Sequence, residues 1–310
     1  MDRVKKQLHM GGVYQMGLTG RNVNVCILDT GIFPHVDFEN RLLEFVDFTN
    51  GGETYCSCYD DSGHGTHVCG ILAGSGRASG GKYQGIAPGA GIIAGKILDH
   101  KGKGNIDDLF ASIEWVLNYK SKYGIRIVNI SIGISEKSDF VEDMKKRTLL
   151  RNYIDRLYEA DILVVTAAGN FGPAKSSLSI LGESTRTICV GCHDGNISVF
   201  NRKRCEEYSG RGPSVFSLRK PDVVAPGTEI VSCSNKNAFG YVKKSGTSMA
   251  CPIVSGIGAL LLERYPQLQV DGLMNRLRRG TLDLGEAWTK QGYGMIDGGR
   301  IFGKPYPNND

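Results

Sequence analysis

The sequence predicts one α/β domain in which a mostly parallel β-sheet carries helices on both faces. Short apolar segments rich in β-branched residues alternate along the chain with longer helical segments. Several of these apolar segments end directly at a polar residue in a Gly-rich turn, and no Pro/Ser-rich linker divides the 310 residues. Because parallel neighbours need a long crossover, usually a helix, this alternation favours a parallel sheet.

The composition narrows the class of protein. The formal charge of +5 is spread along the chain instead of forming one basic block, so we expect no nucleic-acid partner. The sequence contains no apolar run of about eighteen residues or more, so we expect no membrane association. The oligomeric state stays open.

Cysteine usage bears on the cellular compartment. The count of nine is odd, and four of the thiols lie in apolar or Gly-rich segments that predict burial: Cys26, Cys69, Cys189 and Cys251. The basic N-terminal residues lack the apolar stretch of a secretory signal, so we expect a cytoplasmic protein. The alternative is the mature part of a longer secreted precursor. Whether any cysteines pair is left open.

The first strand is predicted over residues 22–28, where a β-rich segment ends at Asp29. Ligands of open α/β sheets bind at the carboxyl ends of the strands, so Asp29 is a candidate functional carboxylate. The alternative is an aspartate that only shapes the turn before Gly31.

A buried helix is predicted over residues 64–74, H-G-T-H-V-C-G-I-L-A-G. It contains two histidines, and a histidine can take and return a proton near neutral pH. We predict that His64, at the helix start, faces a cleft, whereas His67, one turn further on, packs inside the protein.

Strands and helices then alternate. We predict strands over residues 91–98, 126–131 and 162–166, and helices over residues 105–122, 137–160 and 270–279. Asn170 follows the last of these strands, so it also lies at a carboxyl end of the sheet. Its side chain either shapes a turn or donates a hydrogen bond to an oxyanion.

The motif K-S-G-T-S-M-A-C-P-I-V-S-G, residues 244–256, places Ser248 where a tight turn becomes an apolar helix. A hydroxyl held clear of its own backbone is suited to nucleophilic attack, although a serine at a helix start can also be a simple N-cap. Pro252 fits only the first turn of that helix, because proline has no N–H.

Asp29, His64 and Ser248 together supply a nucleophile, a base and a carboxylate that orients the base. Four motifs in this order, V-C-I-L-D-T-G-I, G-H-G-T-H-V-C-G, A-A-G-N and G-T-S-M-A-C-P, closely resemble those of the subtilisin-like serine proteases, and most of all the intracellular bacterial subtilisins. The resemblance spans residues 13–294. It implies a serine endopeptidase that hydrolyses polypeptides through an acyl-enzyme, with Asn170 and the Ser248 backbone N–H as oxyanion donors.

The resemblance also implies a domain plan and a substrate-binding surface. It predicts a short N-terminal extension, a peptidase domain and a polar tail over residues 1–12, 13–300 and 301–310. The residues similar to the family's substrate-binding edges are Gly102, Lys103, Gly104, Ser131, Ile132, Gly133, Ala168 and Gly169. An extended peptide would pair with these edges as an added strand. Lys103 either favours acidic substrate residues or is a solvated surface lysine.

No cofactor is required by this chemistry, but many relatives bind calcium, and Asp37 matches a ligand position of their tight site. The loop at residues 75–83, S-G-R-A-S-G-G-K-Y, contains no acidic or amide side chain, whereas calcium needs several oxygen ligands. We therefore expect this tight site to be absent, with weaker calcium sites elsewhere possible.

Three alternatives stay open. The segment at residues 134–150 forms either a rim that narrows the substrate cleft or a surface helix extension without a role. The enzyme is either a general peptidase or a narrow-specificity processing peptidase that trims leader peptides from precursors. A catalytically silent peptide-binding homologue is the alternative from another class, but such proteins usually lose a triad member.

Overall fold

The computed structural model describes residues 1–134, 144–195, 204–214 and 218–303. The central sheet has nine strands: β1 (Asn24–Asp29), β2 (Leu42–Asp47), β3 (Gly91–Lys96), β4 (Ile125–Ile130), β5 (Leu163–Ala167), β6 (Thr187–Cys192), β7 (Val223–Ala225), β10 (Thr281–Leu282) and β11 (Met295–Ile296). They lie in the order β10-β11-β7-β6-β5-β4-β1-β3-β2. All neighbours are parallel except β10 and β11, so the predicted fold class is confirmed.

A second, two-stranded sheet pairs β8 (Ile230–Cys233) with β9 (Tyr241–Lys244) in antiparallel register. The described α-helices are α1 (Asp2–Gln7), α2 (Gly11–Gln15), α3 (His64–Ala73), α4 (Ile106–Tyr123), α5 (Met144–Glu159), α6 (Thr247–Arg264), α7 (Val270–Arg279), α8 (Trp288–Gln291) and α9 (Gly298–Phe302). The predicted strands and helices therefore exist, with most ends displaced by one or two residues.

The strand β1 separates two apolar cores, because successive side chains of a strand point to opposite faces. Val25 and Ile27 join the core that contains α3 and α6, whereas Cys26 and Leu28 join the core beneath α4 and α5. Helices therefore cover both faces of the sheet.

The chain changes direction across the sheet at β1. The next two strands, β2 and β3, are added on one side of β1, and β4 is added on the other. Such a switch point opens a crevice at the carboxyl ends of the strands. Asp29 ends β1 at this edge, opposite Lys96 of β3.

The helix α6 is buried on almost every side, as its continuous apolar sequence predicts. The prediction for Pro252 was wrong: α6 begins at Thr247, so Pro252 lies in the second turn. A proline at that position cannot donate to the carbonyl four residues earlier, which belongs to Ser248. Although α6 is apolar, no helix of the described ranges has both the length and the hydrophobicity needed to cross a membrane.

The N-terminal residues pack against the C-terminal part of the domain. The Gly298 backbone N–H donates to the Leu8 carbonyl at 2.8 Å, and Nδ1 of His9 lies 2.7 Å from Oδ2 of Asp297. Leu8 is fully buried in the main core. The extension predicted over residues 1–12 is thus attached to the domain by tertiary contacts, while the boundary itself stays a prediction.

Two predicted segments fall partly outside the described residues. Residues 135–143 of the rim segment and residues 304–310 of the polar tail are among those that the structure does not describe. The remainder of the rim segment begins α5, whose apolar side chains face the second core. The choice between a rim and a helix extension stays open.

One pair of cysteines is joined in the structure. Cys192, at the end of β6, is bonded to Cys205, with their Cα atoms 5.7 Å apart. The other seven cysteines are free. The four thiols expected to be buried are all buried and unpaired: Cys26, Cys69, Cys189 and Cys251.

Candidate active site

Asp29 and His64 are in direct contact at the carboxyl edge of the sheet. Oδ1 of the buried Asp29 side chain lies 2.7 Å from Nδ1 of His64 and also accepts the Thr30 backbone N–H at 2.7 Å. Since a carboxylate can only accept, Nδ1 of the imidazole carries the proton in this contact. Nε2 of the neutral ring is then free to act as a base.

The start of α3 is fixed against the end of β1 by a hydrogen bond and a close backbone approach. The Gly65 N–H donates to Oγ1 of Thr30 at 2.8 Å. A Cβ atom at Gly65 would lie only 2.2 Å from the Gly31 carbonyl oxygen, so a larger residue cannot occupy this position without moving the backbone. This close approach brings His64 to Asp29.

Asp60 is a functional-site residue that sequence reasoning missed. Its buried carboxylate accepts five hydrogen bonds, from Oγ1 of Thr30, the backbone N–H groups of Ser62 and Gly63, and both the N–H and the hydroxyl of Thr66. These donors surround the first turn of α3. Asp60 therefore fixes the turn that carries His64, and an acidic residue shortly before a predicted helix start was the available signal.

The electrostatic environment of His64 raises its pKa. Burial on its own lowers the pKa, but the charge and the hydrogen bond of Asp29, together with the more distant Asp60, outweigh this effect. Lys244 acts in the opposite direction. With 27% of its side chain exposed, His64 is still open to the cleft.

His67 has a different environment, as the sequence predicts. Its ring is fully buried, and Nε2 lies 3.0 Å from the Ile230 carbonyl and 3.1 Å from the Val242 carbonyl. Burial lowers the pKa of His67 to about 3, so the ring stays neutral and joins α3 to the β8–β9 pair.

Ser248 lies in the same cleft as His64. It is the second residue of α6 and is half-buried. Its backbone N–H belongs to the first turn, where the helix provides no acceptor. The cleft has a volume of about 860 Å³ and is lined by Thr30, Ser62, His64, Leu98, Lys101, Gly102, Lys103, Gly104, Ser131, Ile132, Gly133, Ile134, Lys244 and Ser248.

Asn170 follows β5, and its exposed side chain is oriented by hydrogen bonds from the start of α6. Its Oδ1 accepts the Thr247 backbone N–H at 3.1 Å and the Thr247 hydroxyl at 3.2 Å. With its oxygen so engaged, the amide has Nδ2 left as a donor. Nδ2 lies close to Gly246, the residue that precedes α6.

The residues predicted to bind substrate divide into two groups. Gly102, Lys103, Gly104, Ser131, Ile132 and Gly133 line the cleft. Ala168 and Gly169 are not among its lining residues, and their carbonyls already accept backbone N–H groups from Ser179 and Gly210, both at 2.8 Å. A smaller hollow of about 120 Å³ adjoins the cleft and is lined by Ile97, Leu98, Gly104, Asn105, Ile106, Leu109, Ile132 and Ile134.

The surroundings of Asp37 do not fit calcium. Its Oδ1 accepts the Ala78 backbone N–H at 3.1 Å, and its Oδ2 accepts the Tyr241 hydroxyl at 2.8 Å and the Cys233 thiol at 3.6 Å. His35 lies 4.0 Å away, and Nδ1 and Nε2 of its ring already contact the Asp37 N–H and the Gly240 carbonyl. Calcium needs oxygen acceptors, whereas this carboxylate is surrounded by protein donors.

We therefore predict that no calcium site at Asp37 and the loop at residues 75–83 contributes to the melting temperature, so a chelator should not lower it by emptying such a site. A calcium site filled at 100 times its dissociation constant would add about 2.7 kcal/mol, or roughly 4 °C for a chain of this size. Differential scanning calorimetry with and without EDTA checks this. A drop of that size that calcium reverses, and that Asp37→Asn abolishes, would contradict the prediction.

A mostly parallel sheet that brings an aspartate, a histidine and a serine to one cleft is the arrangement of the subtilase family, and this chain belongs to that family, which it matches over residues 20–295. It is 35% identical over 300 residues to the serine protease AprX of Bacillus subtilis (strain 168). The match covers 91% of this chain and 66% of AprX, so this chain spans just under two thirds of the length of that protein. It is 33% identical over 288 residues to Subtilisin DY of Bacillus licheniformis, covering 92% of each chain. Among solved structures, Sphericase superposes with a TM-score of 0.79 at 27% identity, covering 90% of this chain and 92% of the other. The predicted family is confirmed.

Proposed function

We propose that the protein is a serine endopeptidase that works through an acyl-enzyme. The observation that carries this proposal is the 2.7 Å contact between Asp29 and His64 at a cleft that Ser248 also lines. A serine hydroxyl is a weak nucleophile until a base takes its proton, and an oriented imidazole is the base that this cleft offers.

In the proposed reaction, Oγ of Ser248 attacks the peptide carbonyl while Nε2 of His64 takes the hydroxyl proton. Asp29 holds the tautomer and stabilises the imidazolium that forms. The imidazolium then protonates the leaving amine, and water, activated by His64 in the same way, hydrolyses the acyl-enzyme. His64 gives the proton taken from water to Oγ of Ser248 as the acyl bond breaks, which releases the carboxylic acid product and restores the starting state.

The negative charge on the attacked oxygen needs preorganised donors. Nδ2 of Asn170 and the backbone N–H of Ser248 are suitable, because the first is left over when Thr247 occupies the amide oxygen and the second has no acceptor within the helix. In a subtilisin, loss of such a side-chain donor lowers kcat by about 10²–10³-fold, and we carry that magnitude over to Asn170.

We propose an extended polypeptide as the substrate, paired with the edges at residues 102–104 and 131–133. Main-chain pairing accepts many sequences and leaves selectivity to the side-chain pockets. The apolar hollow beside the cleft suits an apolar side chain of the substrate. Among the described residues, three lysines and no carboxylate line the cleft, which favours acidic over basic peptides.

A fluorophosphonate probe tests the proposal, because it reacts with an activated serine. We expect labelling at Ser248 and cleavage of a random peptide library. A folded protein that is neither labelled nor active would favour the silent peptide-binding homologue. Cleavage confined to one short motif would instead favour the processing peptidase.

We keep a cytoplasmic location as a proposal. Cys56 is an exposed free thiol, which an oxidising compartment tends to pair, whereas the bond between Cys192 and Cys205 supports the secreted alternative. Alkylation of protein taken from its host without reductant distinguishes the two: a blocked Cys56 would contradict the cytoplasmic proposal.

A further inference from the structure

Lys96 is a buried cation at the carboxyl edge of the sheet that the proposed reaction does not use. It is the last residue of β3, it lies opposite Asp29 at the end of β1, and only 2% of its surface is exposed. Lysine is almost never fully buried unless its charge is paired, because removing an ammonium group from water is costly. The surroundings of Lys96 therefore show what the buried charge does.

The Lys96 ammonium group is fully hydrogen-bonded. Its Nζ donates to the Thr30 carbonyl at 2.9 Å, to the Leu98 carbonyl at 2.7 Å and to Oδ1 of Asp61 at 2.8 Å. An ammonium group has three donors and no acceptor, so these contacts use every hydrogen bond that the group can make. The side chain is therefore held in one place.

The three acceptors belong to three different segments around the cleft. The Thr30 carbonyl directly follows β1, and the Leu98 carbonyl leads into the edge at residues 102–104 that we propose for the substrate. Both Thr30 and Leu98 line the cleft. Asp61 precedes α3, the helix that begins with His64. One side chain thus contacts the segments that carry the carboxylate, the base and the bound peptide.

The Asp29–His64 pair is held together without Lys96. The Ile97 N–H donates to the Asp29 carbonyl at 2.8 Å, which keeps the ends of β1 and β3 paired. Asp60 fixes the first turn of α3 through its own hydrogen bonds. The contacts of the Lys96 ammonium group are therefore additional to those that bring the base to its carboxylate.

The contact between Lys96 and Asp61 joins two parts of the cleft that otherwise share no hydrogen bond. Among the residues that the structure describes, no other hydrogen bond connects residues 60–63 with residues 96–104. Without this contact and the one to the Leu98 carbonyl, the edge that receives the substrate can move relative to the loop that leads into α3.

We propose that Lys96 is a positioning residue that sets the substrate edge of the cleft, residues 98–104, relative to the Asp29–His64 pair. This inference rests on the proposed peptidase function. Lys96 acts through two carbonyls and one carboxylate and not on the substrate itself, because all of its donors are occupied. A misplacement of about 1 Å between reacting groups can lower the rate by about 10²-fold.

The test compares the wild type with Lys96→Met, which nearly keeps the length of the side chain but lacks the ammonium group. On an extended fluorogenic peptide, we expect kcat to fall by about 10²-fold. The rate at which a small alkyl fluorophosphonate labels Ser248 should stay nearly unchanged, because this probe needs the base and the nucleophile but does not pair with the substrate edge. Circular dichroism checks that the variant is folded.

Lys220→Met is the matched control. Lys220 is also only 2% exposed, and its Nζ donates to the Thr187 carbonyl at 3.0 Å and to Oδ2 of Asp222 at 2.5 Å, but it does not line the cleft. Asp222 keeps Arg278 as a second partner, so the control should fold. It should lower the melting temperature and leave kcat unchanged. A merely structural role of Lys96 predicts the same result for both lysines.

Asp61→Ala keeps the inference testable if Lys96→Met does not fold. The Asp61 side chain is 45% exposed, so its loss should leave the fold intact. It should lower kcat on the extended peptide by about twofold to fivefold, the range that a half-exposed ion pair can supply, without slowing the labelling.

Three results would overturn the role of Lys96: unchanged kcat in folded Lys96→Met, an equal loss of kcat in Lys220→Met, or labelling that slows as much as peptide hydrolysis. If Lys96→Met does not fold, unchanged kcat in Asp61→Ala has the same consequence. Absence of labelling in the folded wild type is a different outcome, because it removes the proposed function and this inference with it.

Discussion

Ser248→Ala should lower kcat for peptide hydrolysis by about 10⁶-fold, a magnitude that is carried over from a subtilisin. The variant keeps the cleft and the oxyanion donors but lacks the atom that forms the acyl-enzyme. Ser248 is half-buried at a helix start and contributes little to the cores, so the fold should be retained. Stopped assays on a fluorogenic peptide, with circular dichroism as the check on folding, measure both effects.

The double variant Ser248→Ala with His64→Ala provides the control. Residues that act as one unit lose their effect together, so the second substitution should add almost nothing to the first. A further loss of several orders of magnitude would mean that the two side chains act independently. Full turnover by folded Ser248→Ala would remove the assignment of the nucleophile.

Asp29→Asn should lower kcat by about 10⁴-fold, the loss known for the equivalent change in an unrelated serine protease. An asparagine can turn its amide N–H toward Nδ1, which would stabilise the wrong tautomer and put the proton on Nε2. The substitution also removes the main influence that raises the pKa of His64, so that pKa should fall. A proton NMR titration of the imidazole in the wild type and in the variant measures the shift.

The sign of the pH effect follows from the protonation state that the reaction needs. The base must be neutral, so activity should rise with pH through the pKa of His64 and reach a plateau above it. A variant with a lower pKa should reach its smaller plateau at lower pH. Asp283→Asn, at an exposed carboxylate remote from the cleft, should leave both the rate and the profile unchanged. A profile of Asp29→Asn displaced to higher pH would contradict this account.

Local motifs made the positions of Asp29, His64 and Ser248 predictable, because each lies in a short Gly-rich segment at the end of a strand or the start of a helix. Asp60 was not predictable in the same way, because it acts through five donors that come together only after folding.

The exact start of α6 was the least accurate prediction. Propensity rules place a proline in the first turn, whereas Pro252 lies in the second turn of a helix that is buried almost all round. Burial of this long apolar segment outweighs one lost hydrogen bond, so the rule gave the wrong helix start even though it correctly identified a helix.

The contact between the two ends of the domain has a consequence for how the protein is made. The partner of His9, Asp297, lies 288 residues further along the chain. At a translation rate of about 5–20 residues per second, synthesis of this interval takes roughly 15–60 s. During this time the Leu8 carbonyl and the His9 ring lack the partners that Gly298 and Asp297 provide. The contact between the two ends of the domain therefore forms only after α9 has left the ribosome, when the rest of the domain has already been made.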